Sequence, residues 1–154
     1  MRLQKNKLHK KVFRFLFSIV SVAIVAQLFL LQSCSDTELL SMKQLNNGVK
    51  LYKTHCSNCH QDDGSGLAQL IPPLKNSDYL NQHAAELPCL IHNGIQGKLS
   101  VNGIMYQLPM PANKQLSKEE MKDLCRYVWQ KFLAEPTLFP DSLVENYLHN
   151  CPPN

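Results

Sequence analysis

The stretch Cys56-Ser57-Asn58-Cys59-His60 decides how the rest of the chain is interpreted. Two thiols separated by two residues can add across the two vinyl groups of a haem and form thioethers on one edge of the macrocycle. The histidine that follows at once can offer an imidazole nitrogen to the iron from one face. This spacing therefore predicts covalent attachment of one haem c through Cys56 and Cys59, with His60 as an axial ligand of the iron.

Other uses of a Cys-x-x-Cys pair fit the surrounding sequence less well. A thioredoxin-like pair is expected inside a βαβ pattern, and no strand-helix-strand pattern surrounds Cys56. A structural zinc site needs about four ligands, usually in two pairs, and the sequence has no second Cys-x-x-Cys or histidine pair. A chance match in an ordinary core is the remaining alternative, and haem attachment is the favoured interpretation.

Residues 1–33 have the pattern of a secretory signal. Six Lys and Arg residues with no acid lie in residues 1–14, and an apolar run over residues 15–31 follows them. The sequence Leu31-Gln32-Ser33-Cys34 resembles a bacterial lipobox, which implies cleavage before Cys34 and lipid on its thiol and its new amino group. An uncleaved membrane anchor is the alternative, although 17 apolar residues are near the short limit for a spanning helix.

Removal of this segment reverses the charge balance of the chain. The whole chain has 16 Lys and Arg against 12 Asp and Glu, but six of the bases and none of the acids lie in residues 1–33. The remainder therefore has 10 bases and 12 acids, a formal charge of −2. The mature chain has no basic excess that would favour binding to nucleic acid.

The remaining chain divides into a tether over residues 34–40, a domain over residues 41–133 and an extension over residues 134–154. A helix is predicted to begin near Ser41 and to end at His55, because Leu45, Val49 and Tyr52 fall on one helical face.

The second half of the domain has its own local signals. Asn102-Gly103 between apolar residues predicts a small β-hairpin. Ser117 and Glu120 form a capping box that opens the last helix, which is expected to end near Leu133. In the extension, residues 143–148 have helical apolar spacing and are expected to pack back on the domain.

Gly48, Tyr52 and residues 56–60 resemble the first segment of a class I c-type cytochrome, and the resemblance covers most of residues 41–133. It implies an all-α fold in which the first and last helices cross over a covalently bound haem. Gly48 would then contact the last helix near Leu124, and Tyr52 would contact Tyr127.

The same resemblance implies the other contacts of the haem. In Ile71-Pro72-Pro73-Leu74, the carbonyl of Pro72 would accept a hydrogen bond from the second ring nitrogen of the haem histidine, which supports that ligand. Leu74 would lie against the haem ring.

Met110 lies between Pro109 and Pro111 in a segment that resembles the family's axial-methionine loop, so it is the expected sixth ligand. Met105 on the expected hairpin is a competing methionine. His83 is the competing ligand if the iron carries two histidines.

Three cysteines remain after Cys34, Cys56 and Cys59 are assigned. Disulfides persist in exported proteins, and an odd remainder allows at most one pair. Resemblance to chains with a cysteine in the Leu-Pro-Cys context, which often carry another near the C-terminus, implies a Cys89–Cys151 disulfide that closes the extension over the domain. A Cys125–Cys151 pairing is the rival.

These features predict a mono-haem c-type cytochrome, anchored by lipid on the periplasmic side of a Gram-negative membrane. It is expected to pass single electrons between exported or membrane-bound redox proteins. With both axial positions filled, a substrate has little access to the iron, which argues against an enzyme. Two alternatives stay open: a haem subunit of a larger oxidoreductase complex, and a ligand sensor or peroxidase-like protein in which Met110 is displaced.

Overall fold

The computed structural model of this protein describes residues 14–27, 35–135 and 137–151. These residues belong to two compact units, Met1–Met42 and Lys43–Asn154. In the first unit, residues 14–27 form a helix, α1, with exposed side chains. No helix within the described residues is long and apolar enough to cross a membrane. The predicted lipid site at Cys34 lies outside the described residues.

The regular secondary structure described in the second unit is helical apart from one hairpin, which confirms the predicted fold class. Helix α2 begins in the first unit at Ser35, so residues 35–40, expected to be a tether, are helical. The elements in chain order are α2 (Ser35–His55), α3 (Ser57–His60), α4 (Asp78–Gln82), a 3-10 turn (Ala84–Glu86), α5 (Leu87–Asn93), β1 (Leu99–Val101), β2 (Ile104–Tyr106), α6 (Lys118–Phe132) and α7 (Ser142–Asn150).

Local sequence signals place several of these boundaries. The Ser117 hydroxyl accepts a hydrogen bond from the Glu120 amide and the Glu120 carboxylate accepts one from the Ser117 amide, so the predicted capping box starts α6. Asn102 and Gly103 have φ values of 52° and 76°. Positive φ at both central residues is typical of a type I′ turn, and it sets the antiparallel register of β1 and β2.

Helices α2 and α6 contact each other closely at Gly48. A Cβ at this position would overlap the carbonyl oxygen of Asp123 and would lie 2.8 Å from the Cβ of Tyr127. The contact on α6 is made by Asp123 and Tyr127, which flank Leu124, so Gly48 meets the last helix where the resemblance implied. One turn later, the Tyr52 ring packs against Tyr127, with ring centroids 5.2 Å apart, as the resemblance implied.

The core forms between α2, α5, α6 and the extension. Its buried side chains are Leu51, Tyr52, Leu80, Leu87, Ile91, Met121, Leu124, Cys125, Val128, Phe132, Phe139 and Val144. Two of these residues, Phe139 and Val144, belong to the extension, which therefore packs back on the domain as predicted.

A disulfide joins the extension to α5. Cys89 and Cys151 are bonded, with their Cα atoms 5.5 Å apart, while Cys125 is a free and buried thiol. The structure therefore contains the pairing that the resemblance implied and not the Cys125–Cys151 alternative.

The contact at Gly48 gives a direct test of the fold. We expect Gly48→Ala to lower the free energy of unfolding of the haem-loaded protein by about 1–3 kcal/mol, because an extra methyl group overpacks the α2–α6 contact. This range allows for the roughly 1 kcal/mol that alanine gains over glycine inside a helix, because a methyl group that overlaps backbone atoms of α6 costs more than one that meets a flexible side chain. Chemical denaturation followed by circular dichroism measures the change.

The matched control is Asn46→Ala, an exposed position on the same helix. We expect its stability to stay within about 0.5 kcal/mol of the wild type. Equal stability of the two variants would contradict the close contact at Gly48.

Candidate cofactor site

One cavity of about 440 Å³ in the second unit brings together all the residues predicted to contact the cofactor. Its volume lies in the range of small-molecule pockets. The predicted residues that line it are Cys56, Cys59, His60, Pro72, Leu74 and Met110. Apolar side chains of α4, α5 and the hairpin form much of the remaining wall.

The two thiols and the histidine reach the cavity because the chain restarts a helix directly after α2. Cys56 interrupts the helix with φ −124° and ψ −40°. The amide of His60 then donates to the carbonyl oxygen of Cys56 over 2.9 Å, and residues four apart on a helix share a face. Cys56 is half-buried, whereas Cys59 is exposed. Burial, with a smaller effect of Cys59, raises the pKa of the Cys56 thiol to about 12, so this thiol is uncharged at neutral pH.

The imidazole of His60 is buried and held in one tautomer. Its Nδ1 lies 3.1 Å from the carbonyl oxygen of Pro72. A carbonyl can only accept, so Nδ1 carries the hydrogen and Nε2 is the nitrogen with a free lone pair. Burial lowers the pKa of His60 from its ordinary value, although the hydrogen bond to Pro72 acts in the opposite direction. The neutral ring is the form that binds a metal ion.

The loop after α3 folds back on itself and so brings Pro72 to the histidine. The Gly66 amide donates to the His60 carbonyl oxygen over 3.0 Å, and the Leu74 amide donates to the Gly64 carbonyl oxygen over 2.8 Å. These bonds fix both ends of the loop close to α3. The Pro72 carbonyl is thereby directed at the ring, which is the arrangement that orients a metal-binding histidine.

Met110 is the methionine that the fold brings to the cavity. Its amide donates to the Ile95 carbonyl oxygen over 2.9 Å and its carbonyl accepts from the Ile95 amide over 3.0 Å, which fixes the backbone of this segment. Met105, on β2, is 53% exposed and does not line the cavity.

His83 is also kept away from the cavity. Its ring stacks on Tyr79 at 4.2 Å between centroids, and its Nδ1 lies 3.2 Å from Oε2 of Glu86. It is absent from the cavity wall. Of the candidates for a second axial ligand, the fold places Met110 at the cavity and the other two elsewhere.

Sequence reasoning missed several residues of the wall. Leu99, Val101 and Tyr106 of the hairpin line the cavity. Leu99 and Tyr106 are directly paired across the strands, so the two-residue period of each strand could have placed them on one face. Tyr79 lies on a five-residue helix, which is too short for its apolar period to be recognised.

Known proteins have sequences similar to that of this chain. The profile of the family described as "Cytochrome c" matches residues 45–131. The chain belongs to the cytochrome c family. Two curated relatives, each a cytochrome c-552 of Thermus thermophilus, are 29% identical to this cytochrome over 86 residues. The match covers 53% of this chain and 65% and 57% of the two relatives, so the chain spans less than two thirds of their lengths.

The cofactor of this family is covalently bound haem c, and the residues at the cavity fit it. They supply two thiols at the required spacing, a neutral imidazole, a thioether sulfur and apolar walls. When bound, haem c supplies an iron that changes its charge by one electron.

Covalent attachment gives the most direct test of the site. In the double variant Cys56→Ala/Cys59→Ala, we expect complete loss of covalent haem, since no thiol remains to form a thioether. Haem staining after denaturing electrophoresis and the mass of the intact chain measure it. Cys125→Ala is the matched control, because Cys125 is also a free thiol but does not line the cavity. Covalent haem in the double variant, or its loss in the control, would contradict the assignment.

Proposed function

We propose that this cytochrome is a membrane-tethered carrier of single electrons. One haem c would be attached through Cys56 and Cys59, and His60 and Met110 would bind its iron. The observation that supports this proposal is the presence of His60 and Met110 on the wall of one cavity, each with its backbone or ring fixed by hydrogen bonds. Members of the cytochrome c family are mainly electron carriers rather than enzymes.

Hydrogen bonds hold the protein residues of the site in position for electron transfer. Pro72 holds the His60 ring and keeps its Nε2 available, and Ile95 holds the backbone of Met110. The thioether of Met110 is a soft ligand that favours the reduced iron, so a His/Met pair gives a higher potential than two histidines. With His60 and Met110 both bound to the iron, a substrate would have little access to it, which supports the role of carrier rather than enzyme.

The exposure of Cys59 supports a route for the electron. Cys59 lines the cavity and is also exposed to solvent. The haem edge attached through this residue would therefore reach the surface, where a redox protein can approach it. The partners that fit are an electron donor and an electron acceptor, exported or bound to the same membrane.

Optical spectroscopy tests the function. In the reduced-minus-oxidised spectrum and the pyridine haemochrome assay, we expect one c-type haem per chain. We expect no binding of carbon monoxide to the reduced protein, because Met110 keeps its position. Binding of carbon monoxide would favour a ligand sensor instead, and co-purification of a tightly held enzyme would favour a subunit of a larger complex.

A pair of methionine variants tests the sixth ligand. We expect Met110→Ala to abolish the weak sulfur-to-iron band of the ferric protein and to lower its reduction potential, because the soft ligand is lost. Met105→Ala is the control and should keep both properties, since Met105 is exposed and away from the cavity. Loss of the band in Met105→Ala alone would move the assignment to Met105.

Lipid attachment at Cys34 is the other part of the proposal, and it rests on the sequence before that residue. We expect the wild type and Cys125→Ala to incorporate a palmitate analogue and Cys34→Ala not to do so. Intact mass should give a mature chain that begins at Cys34. Labelling of Cys34→Ala, or a mature protein that retains residues 1–33, would contradict lipidation.

A further inference from the structure

The loop that carries Met110 is attached to the end of α5. Pro109 and Pro111 have no amide hydrogen, so within residues 109–111 only Met110 can donate a backbone hydrogen bond. That donor is used by the Ile95 carbonyl oxygen. Three residues further, the Asn113 amide donates over 3.0 Å to the carbonyl oxygen of Ile91, inside α5.

Gly94 allows the loop that carries Met110 to lie close to the end of α5. It ends α5 with φ 73°, and a Cβ there would overlap the carbonyl oxygen of Met110 and would lie 2.8 Å from the Ala112 amide nitrogen. The methionine loop therefore lies directly against the backbone that leaves α5. Any shift of α5 changes where this loop, and with it the Met110 sulfur, is held.

Helix α5 cannot fix its own position. It has seven residues, and helices shorter than about 12–15 residues are marginal in water without tertiary support. One face of α5 lines the cavity through Leu87, Leu90 and Ile91. Its position therefore depends on its neighbours, which include α6, α7 and the 3-10 turn that precedes it.

The extension supplies the covalent part of this support. The disulfide joins Cys89 of α5, which is six positions before Ile95, to Cys151, which directly follows α7. Val144 of α7 is completely buried, and Phe139 packs edge-on against Trp129 of α6 with ring centroids 5.5 Å apart.

Charged side chains align α7 along α6. Glu145 lies 3.3 Å from Nζ of Lys118 and 3.2 Å from Nζ of Lys122, and Arg126 pairs with Asp141. The three bases are spaced four residues apart, so they share one face of α6. The carboxylates of Glu145 and Asp141 are about half exposed, and ion pairs open to solvent stabilise little individually. The pairs therefore orient α7, while the buried contacts and the disulfide hold it.

We propose that α7 and the Cys89–Cys151 disulfide form a brace that acts through α5 to keep Met110 on the iron. Cys89, Cys151 and Val144 are positioning residues for the sixth ligand, although none of them is that ligand. This inference rests on the proposed ligation by Met110. It assigns to the extension a role in coordination that is separate from its contribution to the stability of the fold.

Competition between free imidazole and Met110 for the iron measures how firmly the methionine is held. Imidazole binds ferric iron in place of Met110, so its apparent affinity rises with the fraction of molecules in which the methionine has left. The haem-loaded, full-length protein is titrated with imidazole while the sulfur-to-iron band is followed. We expect Cys89→Ala/Cys151→Ala to bind imidazole at least tenfold more tightly than the wild type.

Gly48→Ala is the matched control for stability. It disturbs the α2–α6 contact but leaves α7 and the disulfide intact, so it shows how much the imidazole affinity changes through lost stability alone, including any effect that α6 transmits to α5. We expect the disulfide variant to bind imidazole several-fold more tightly than this control, because the affinity follows the fraction of open sites. A disulfide variant that is destabilised like Gly48→Ala but binds imidazole with wild-type affinity would overturn the brace, because the extension would then stabilise only the fold.

Two further variants keep the test decisive if the disulfide variant does not take up haem. Val144→Ala retains the disulfide and should tighten imidazole binding two- to fivefold, whereas Gly94→Ala acts on the methionine loop directly and should tighten it most. Wild-type affinity in Val144→Ala together with tighter binding in Gly94→Ala would overturn the role of α7. A wild-type protein without the sulfur-to-iron band would overturn ligation by Met110 itself, and the brace with it, before any variant is compared.

Discussion

The close contact between α2 and α6 at Gly48 is the constraint on which the rest of the domain depends. Because no side chain separates the two backbones here, Tyr52 can pack on Tyr127 and Phe132 one turn later. The same helix ends immediately before Cys56, and α6 contributes Val128 to the cavity wall. The distance between α2 and α6 therefore sets where Cys56 lies relative to the part of the cavity wall that contains Val128.

The cavity combines apolar walls with a small number of oriented polar groups. A charged imidazole would be costly in such surroundings, and burial accordingly lowers the pKa of His60. The single hydrogen bond to Pro72 fixes the tautomer without adding a charge. Neutral and oriented ligands suit a carrier, because little has to rearrange when the charge of the iron changes by one electron.

The extension adds buried residues to the core of a small domain. Small domains bury a lower fraction of their surface than large ones and are correspondingly marginal. Here Phe139 and Val144 add to the core, and the disulfide closes a loop of 62 residues between Cys89 and Cys151. In the chain-entropy model such a loop stabilises the fold by about 4 kcal/mol. This stabilisation arises in the unfolded chain, which the disulfide restricts. In the folded protein, the same bond ties Cys151 to α5, next to the methionine segment.

Local chemistry explains what the sequence by itself determined. The spacing of Cys56, Cys59 and His60 is enough to predict covalent haem attachment. The capping box at Ser117 and the Asn102-Gly103 turn each depend on residues three or fewer positions apart. The direction of the Pro72 carbonyl and the pairing of Cys89 with Cys151 were expected through resemblance to a family, and the residues alone did not require them.

Only the tertiary structure decided the features that depend on distance between separate elements. Met105 and Met110 have the same side chain, and the fold places one on an exposed strand and the other at the cavity. No local signal showed that Ile95 and Gly94 hold the methionine loop. The physical reason is that such contacts join residues 15 or more positions apart, as Ile95 and Met110 are, and packing rather than local backbone preference brings them together.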